Sequence, residues 1–110
     1  MSNEYESFTQ EVKYVQINAG TGNNTLVDVV QGKQIRVLAA ALTVPDAGEL
    51  RFEDGANGNA LTGRFPVAAN GGFVLPWNPA GWFQTSLSTL LNLEVTTATA
   101  ARGCLVYIEK

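Results

Sequence analysis

The sequence predicts an all-β domain, an antiparallel β-sandwich of simple or jelly-roll type with about eight short strands, on three observations. Runs rich in β-branched and aromatic residues alternate with polar ones at a period of two. Eleven glycines and four prolines punctuate the chain at nearly regular intervals, the turn spacing expected of a small β-sandwich. No segment joins a helical apolar stripe to caps at both ends. With 110 residues, 45% of them hydrophobic and 15% charged, the chain holds enough apolar material for one core and is too short for two.

The elements follow in order. Residues 1–10 set Tyr5 and Phe8 apart among Ser2, Glu4, Glu6 and Gln10 with neither period, so they read as an N-terminal arm on a single domain spanning 11–110. Val12, Tyr14, Val15 and Ile17 make Glu11–Asn18 a strand. Gly20-Thr21-Gly22-Asn23-Asn24 reads as a polar loop, and Thr25–Val30 as a second strand. After the turn at Gln31-Gly32-Lys33, the run Gln34–Val44 is assigned to strand rather than helix. Its Ile35, Val37, Thr43 and Val44 are β-branched, Gly32 and Pro45 flank it, and no N-cap precedes it. Pro45-Asp46-Ala47-Gly48 is a turn, and Glu49–Glu53 alternates cleanly, with Leu50 and Phe52 inward and Glu49, Arg51 and Glu53 forming a solvated or partner-facing charged stripe. Further strands are expected at Ala60–Val67, Phe73–Leu75, Leu90–Thr96 and Arg102–Glu109. The last is apolar on both faces, so it is either central in a sheet or covered by another subunit.

Composition excludes most familiar chemistry. There is no histidine, which removes the usual neutral-pH acid/base and the commonest metal ligand. The single cysteine, Cys104, allows no intrachain disulfide and no cysteine-rich zinc site; in its apolar strand, with no neighbouring base, it reads as a small buried hydrophobe. A net charge of -3 with scattered basic residues does not fit a nonspecific nucleic-acid binder. No window is apolar for long enough to span a bilayer as a helix, and the first residues lack the pattern of a secretory signal, so a cytosol-like compartment is expected. Asn23-Asn24-Thr25 is accordingly read as polar loop and not as a glycosylation site.

Other motifs are weak. Asp54-Gly55-Ala56-Asn57-Gly58-Asn59 contains the ingredients of a calcium loop, but the twelfth position is Phe65 where a bidentate glutamate is needed, and Asp-Gly and Asn-Gly are favoured hairpin pairs. The glycines near Thr21 lie between strands and lack the third glycine of a dinucleotide fingerprint. No catalytic, metal or cofactor set emerges, and an enzyme is not expected. The most distinctive stretch is Asn70–Thr85, with Phe73, Trp77, Trp82 and Phe83 around Pro76 and Pro79. Its aromatics either close one end of the sandwich, stack on a sugar, or form a protein interface.

This stretch, with Ser86–Leu93 and the closing Val106-Tyr107, resembles small β-rich structural proteins of tailed bacteriophages. The shared pattern is Gly71-Gly72-Phe73-Val74-Leu75-Pro76, then Gly81-Trp82-Phe83 with Thr85, then Leu91-Asn92-Leu93, then Val106-Tyr107. The resemblance implies a virion component on the capsid surface, made in the bacterial host cytoplasm. Such a protein decorates or cements the head by binding the major capsid protein as a homotrimer or homodimer, with no nucleic-acid or membrane partner. Tyr5, Phe8, Phe73, Trp77, Trp82 and Phe83 are the expected interface residues. A carbohydrate-binding module using the tryptophans, or a tail or neck accessory protein, is the alternative.

Overall fold

A computed structural model describes residues 11–110. The strands are β1 (Lys13–Val27), β2 (Ile35–Thr43), β3 (Gly48–Asp54), β4 (Asn59–Ala60), β5 (Phe65–Val67), β6 (Gly72–Leu75), β7 (Phe83–Gln84) and β8 (Leu91–Glu109). All pairings are antiparallel. There is no helix among the described residues, and the all-β antiparallel expectation holds.

The two layers are halves of one continuous sheet. Strand β8 is central and β1 runs along one side of it, from Lys13 opposite Tyr107 to Val27 opposite Leu91. On its other side the neighbour changes: β3 pairs with Leu91–Thr96 and β2 with Arg102–Glu109. Nineteen residues of straight strand would reach about 60 Å, beyond the longest dimension of the molecule, 50 Å. The β1–β8 ribbon therefore bends, and its two halves face each other across the core. Rings from opposite halves touch there. Phe52 of β3 meets Phe83 of β7 with centroids 4.9 Å apart, and Phe65 of β5 stacks on Phe73 of β6 at 4.4 Å. Leu42, Leu50, Leu91, Leu93, Val95 and Leu105 belong to the same single apolar cluster.

The bend has an identifiable cause. Between Gly20, opposite Ala100, and Gly22, opposite Val95, β8 carries an excess of residues over β1, an enlarged β-bulge that turns the ribbon. Thr97, inside the excursion, holds φ at 76°, which is costly for a β-branched residue. Side chains fasten it: the Thr21 hydroxyl donates to the Ala98 carbonyl at 2.8 Å, and Asp46 Oδ1 accepts from the Thr99 amide at 2.9 Å. Gly48 closes the corner, because a Cβ there would strike the Ala98 amide and the Thr96 carbonyl.

This bend corrects the expected loop at Gly20–Asn24. Those residues continue the strand, since Gly22 takes φ 101° at the bulge and the Asn24 amide group bonds the backbone of Gly20 and Gly22. The two expected N-terminal strands are thus one, as are the two C-terminal ones, while Ala60–Val67 divides into β4 and β5. Of the two options for the last strand, the central position in the sheet is realised.

At the open end of the ribbon, Lys13 Nζ donates to Glu109 Oε1 at 3.2 Å beside Tyr107. The bond to Glu109 raises the Lys13 pKa above 10.5, and burial, followed by the Glu109 carboxylate, raises that of Tyr107 above 10.0. Both folded-state protons are held more tightly than in the unfolded chain, so their contribution is intact below about pH 10 and is lost as pH rises beyond it. Urea midpoints should stay level from neutral pH to about pH 10 and then fall. Tyr107→Phe should flatten that alkaline fall; an unchanged profile in the variant would remove Tyr107 from the account.

Candidate interaction face

Strand register builds a surface from the outward side chains of the β1–β8–β2–β6 half. Adjacent positions on paired strands share a face, which gives one row of Tyr14, Val106 and Ala39. The next row is Gln16, Cys104, Ala41 and Val74, and the third is Asn18, Arg102, Thr43 and Gly72. The first two rows carry no charge and are mostly apolar or small. Tyr14 is 76% exposed and Val74 67%. Beside them a shallow depression of about 370 Å³, lined by Thr43, Gly72, Val74 and Arg102, opens between β2, β6 and β8.

The connection after β6 adds the tryptophans. Pro76 and Pro79 keep it out of the sheet interior, and it is anchored on β2 by amides of Asn78 and Trp82 donating to the carbonyls of Leu38 and Val37. Asn78 shapes the turn by accepting from the Ala80 amide at 3.1 Å. The Trp82 indole N–H donates to the Pro76 carbonyl at 2.8 Å, which fixes the ring while leaving the residue 43% exposed; Trp77 is 54% exposed.

The expected interface residues therefore separate. Trp77 and Trp82 present themselves to solvent. Phe73 and Phe83 turn inward and pack on the core, because the alternation of each short strand puts them on the face opposite Val74 and Trp82. Tyr5 and Phe8 lie outside the described residues. Sequence reading missed Tyr14, Val74, Val106 and Cys104 as parts of one surface. Cys104 is exposed rather than buried, since it alternates with Gly103 and Leu105 and its side falls outward.

Two expectations about polar residues also change or gain detail. Glu53, expected on a solvated stripe, is fully buried: Arg51 Nε donates to its Oε2 at 3.0 Å and Asn92 Nδ2 to its Oε1 at 2.8 Å. Asn92 also donates to Asn23 Oδ1, and Asn23 Nδ2 to Asn57 Oδ1, each at 3.0 Å. The Asp54–Asn59 segment is a tight turn whose first carboxylate accepts from the Ser86 amide and hydroxyl, a structural use for the would-be calcium ligand. Among the described residues no group of three or more acidic or cysteine side chains could hold a metal ion.

With no clustered acid, base or nucleophile among its described residues, the face can offer flat apolar area, with the tethered Trp82 indole and the exposed Trp77 on the connection after β6. Compared with protein-family models and with curated proteins, the chain matches none.

Proposed function

We propose that this chain is a non-enzymatic structural protein of tailed-phage particles that binds the outside of the capsid and cements it. The resemblance over Asn70–Tyr107 supports the phage setting. The observation that carries the reading is the uncharged face on which Tyr14 and Val74 are exposed and Ala39, Ala41 and Val106 half-buried, together with the exposed Trp77 and Trp82 of the connection after β6. Contiguous apolar surface rimmed by polar residues favours protein contact over solvent, and tryptophan and tyrosine are the usual anchors of such contacts. A protein that binds the finished shell better than its precursors or fragments stabilises that shell by its differential affinity, so many weakly bound copies suffice.

The test combines location and contact. Quantitative mass spectrometry of purified particles should find this chain at a copy number comparable with the major shell protein. Val74→Lys should weaken its binding to particles stripped of it by at least about tenfold, with thermal unfolding unchanged. A handful of copies would move the protein to the tail or neck; none would overturn the proposal. The exposed indoles of Trp77 and Trp82 favour one second reading, glycan stacking, which a sugar-dependent shift in tryptophan fluorescence would support.

A further inference from the structure

The outer edge of β1 is open over one defined segment. Gly20 donates its amide to Asn24 Oδ1 at 3.1 Å and accepts at its carbonyl from Asn24 Nδ2 at 2.8 Å, so the backbone groups of Gly20 point away from β8 and are capped there. The register between β1 and β8 runs unbroken from Lys13 to Gly20, and backbone groups alternate in direction along an antiparallel strand. The N–H and C=O groups of Tyr14, Gln16 and Asn18 therefore point the same outward way, and among the described residues no strand lies beyond them. This segment has none of the usual edge protection. It contains no proline and no charge, and the one charged residue of β1 is Lys13 at its start.

We infer that this edge is the site at which two copies of the chain join, β1 against β1 of the second copy across a twofold axis at Gln16. The inference goes beyond capsid binding: it gives a place to the self-association that the sequence resemblance implies, and it rests on the strand geometry alone.

The segment is complementary to itself in a single register. With Gln16 opposite Gln16 of the second copy, Tyr14 stands opposite Asn18 and Asn18 opposite Tyr14. Each facing pair exchanges both backbone bonds, and no outward group is left over. A shift by two residues strands a pair of groups on each copy, and a shift by one turns inward residues outward. In the matched register Val15 lies beside Ile17 of the second copy, which extends the apolar core, and Lys13 opposes Ala19, so no like charges meet. Asn24 ends the open segment where this register needs no further partner. The pairing also joins the two apolar faces into one, giving a pair of shell contacts per dimer in place of one.

The test is sedimentation of the full chain over a concentration series. The wild-type chain should form a dimer. Gln16→Lys and Gln16→Glu, which set like charges against each other across the axis, should each weaken self-association at least tenfold, with thermal unfolding unchanged at concentrations low enough for every chain to be monomeric, because Gln16 is exposed. Mixed one to one, the two variants should pair again, since opposite charges then meet. A wild-type chain that stays monomeric, or an oligomer indifferent to both substitutions, overturns the inference. Concentration-independent amide protection of Tyr14, Gln16 and Asn18 in a monomer would assign the edge to this chain's own residues and overturn it too. The experiment uses no particles, so a dimer that fails to bind shells would sink the proposed function and leave the pairing standing.

Discussion

Replacing Arg51 by alanine should cost about 3 kcal/mol of folding stability, although Arg51 lies on the outer face of its strand. The reason is Glu53, which is buried with its carboxyl group bonded to the Arg51 guanidinium. Removing the cation leaves an uncompensated carboxylate whose other bond, from Asn92, comes from an amide already shared with Asn23. Asn92 Oδ1 is itself buried with no partner among the described residues, so the network has no spare donor to offer. Arg64→Ala gives the contrast. Its bond to Glu94 is 2.6 Å long, yet the pair is solvent-exposed, and the loss should be below about 1 kcal/mol. The double variant Arg51→Met with Glu53→Leu should return to within about 1 kcal/mol of the wild type, since apolar replacement of a buried pair is near neutral. Urea unfolding measures all three. A cost for Arg51→Ala no larger than that of Arg64→Ala would mean that water reaches Glu53.

Local alternation made most of the fold legible. Leu50 and Phe52 inward, Gly48 and Pro45 at the turn, and Ile35 to Thr43 as strand all follow from side-chain type at a period of two. Two features did not follow, and for one reason: they depend on partners distant in sequence. Gly20–Asn24 has the composition of a loop, and only the Asn24 amide folded back on Gly20, with β8 alongside, makes it a bulged strand. Glu53 has the pattern of a surface residue, and its burial draws on Asn92, 39 positions away, as well as on nearby Arg51. The interaction face was half legible for a similar reason. Trp77 and Trp82 announce themselves by composition, but Tyr14, Val74 and Cys104 become neighbours only through register, because β1, β6 and β8 are far apart in the chain. A run apolar on both faces, such as Cys104–Ile108, signalled a central strand; it gave no means of telling which of its faces stays uncovered.

Phe52→Ala should be among the most damaging single changes in the domain, costing about 4 kcal/mol. The side chain is completely buried on β3, and its ring leans on Phe83 from the opposite half of the folded sheet at an interplanar angle of 38°. Phe83→Ala, at a half-buried position, should cost less, about 2 kcal/mol, and the double variant should fall short of the sum by about 1 kcal/mol, the usual coupling of an aromatic pair. That shortfall tests the architecture directly. The two rings belong to strands that never share a ladder, so they couple only if the bent ribbon brings the halves face to face; strict additivity would contradict the bend. The same position separates folding from recognition. Phe83 and Trp82 are sequence neighbours on opposite faces, one against the core and the other toward solvent. Trp82→Ala should therefore leave folding stability within the range of ordinary surface substitutions, about 0.5 kcal/mol, while weakening the proposed attachment to the shell. Phe83→Ala should do the reverse at temperatures where the variant remains folded. Two adjacent residues with opposite phenotypes would tie the aromatic connection to both tasks: one ring closes the core, and its neighbour is held on the surface by the Pro76 carbonyl.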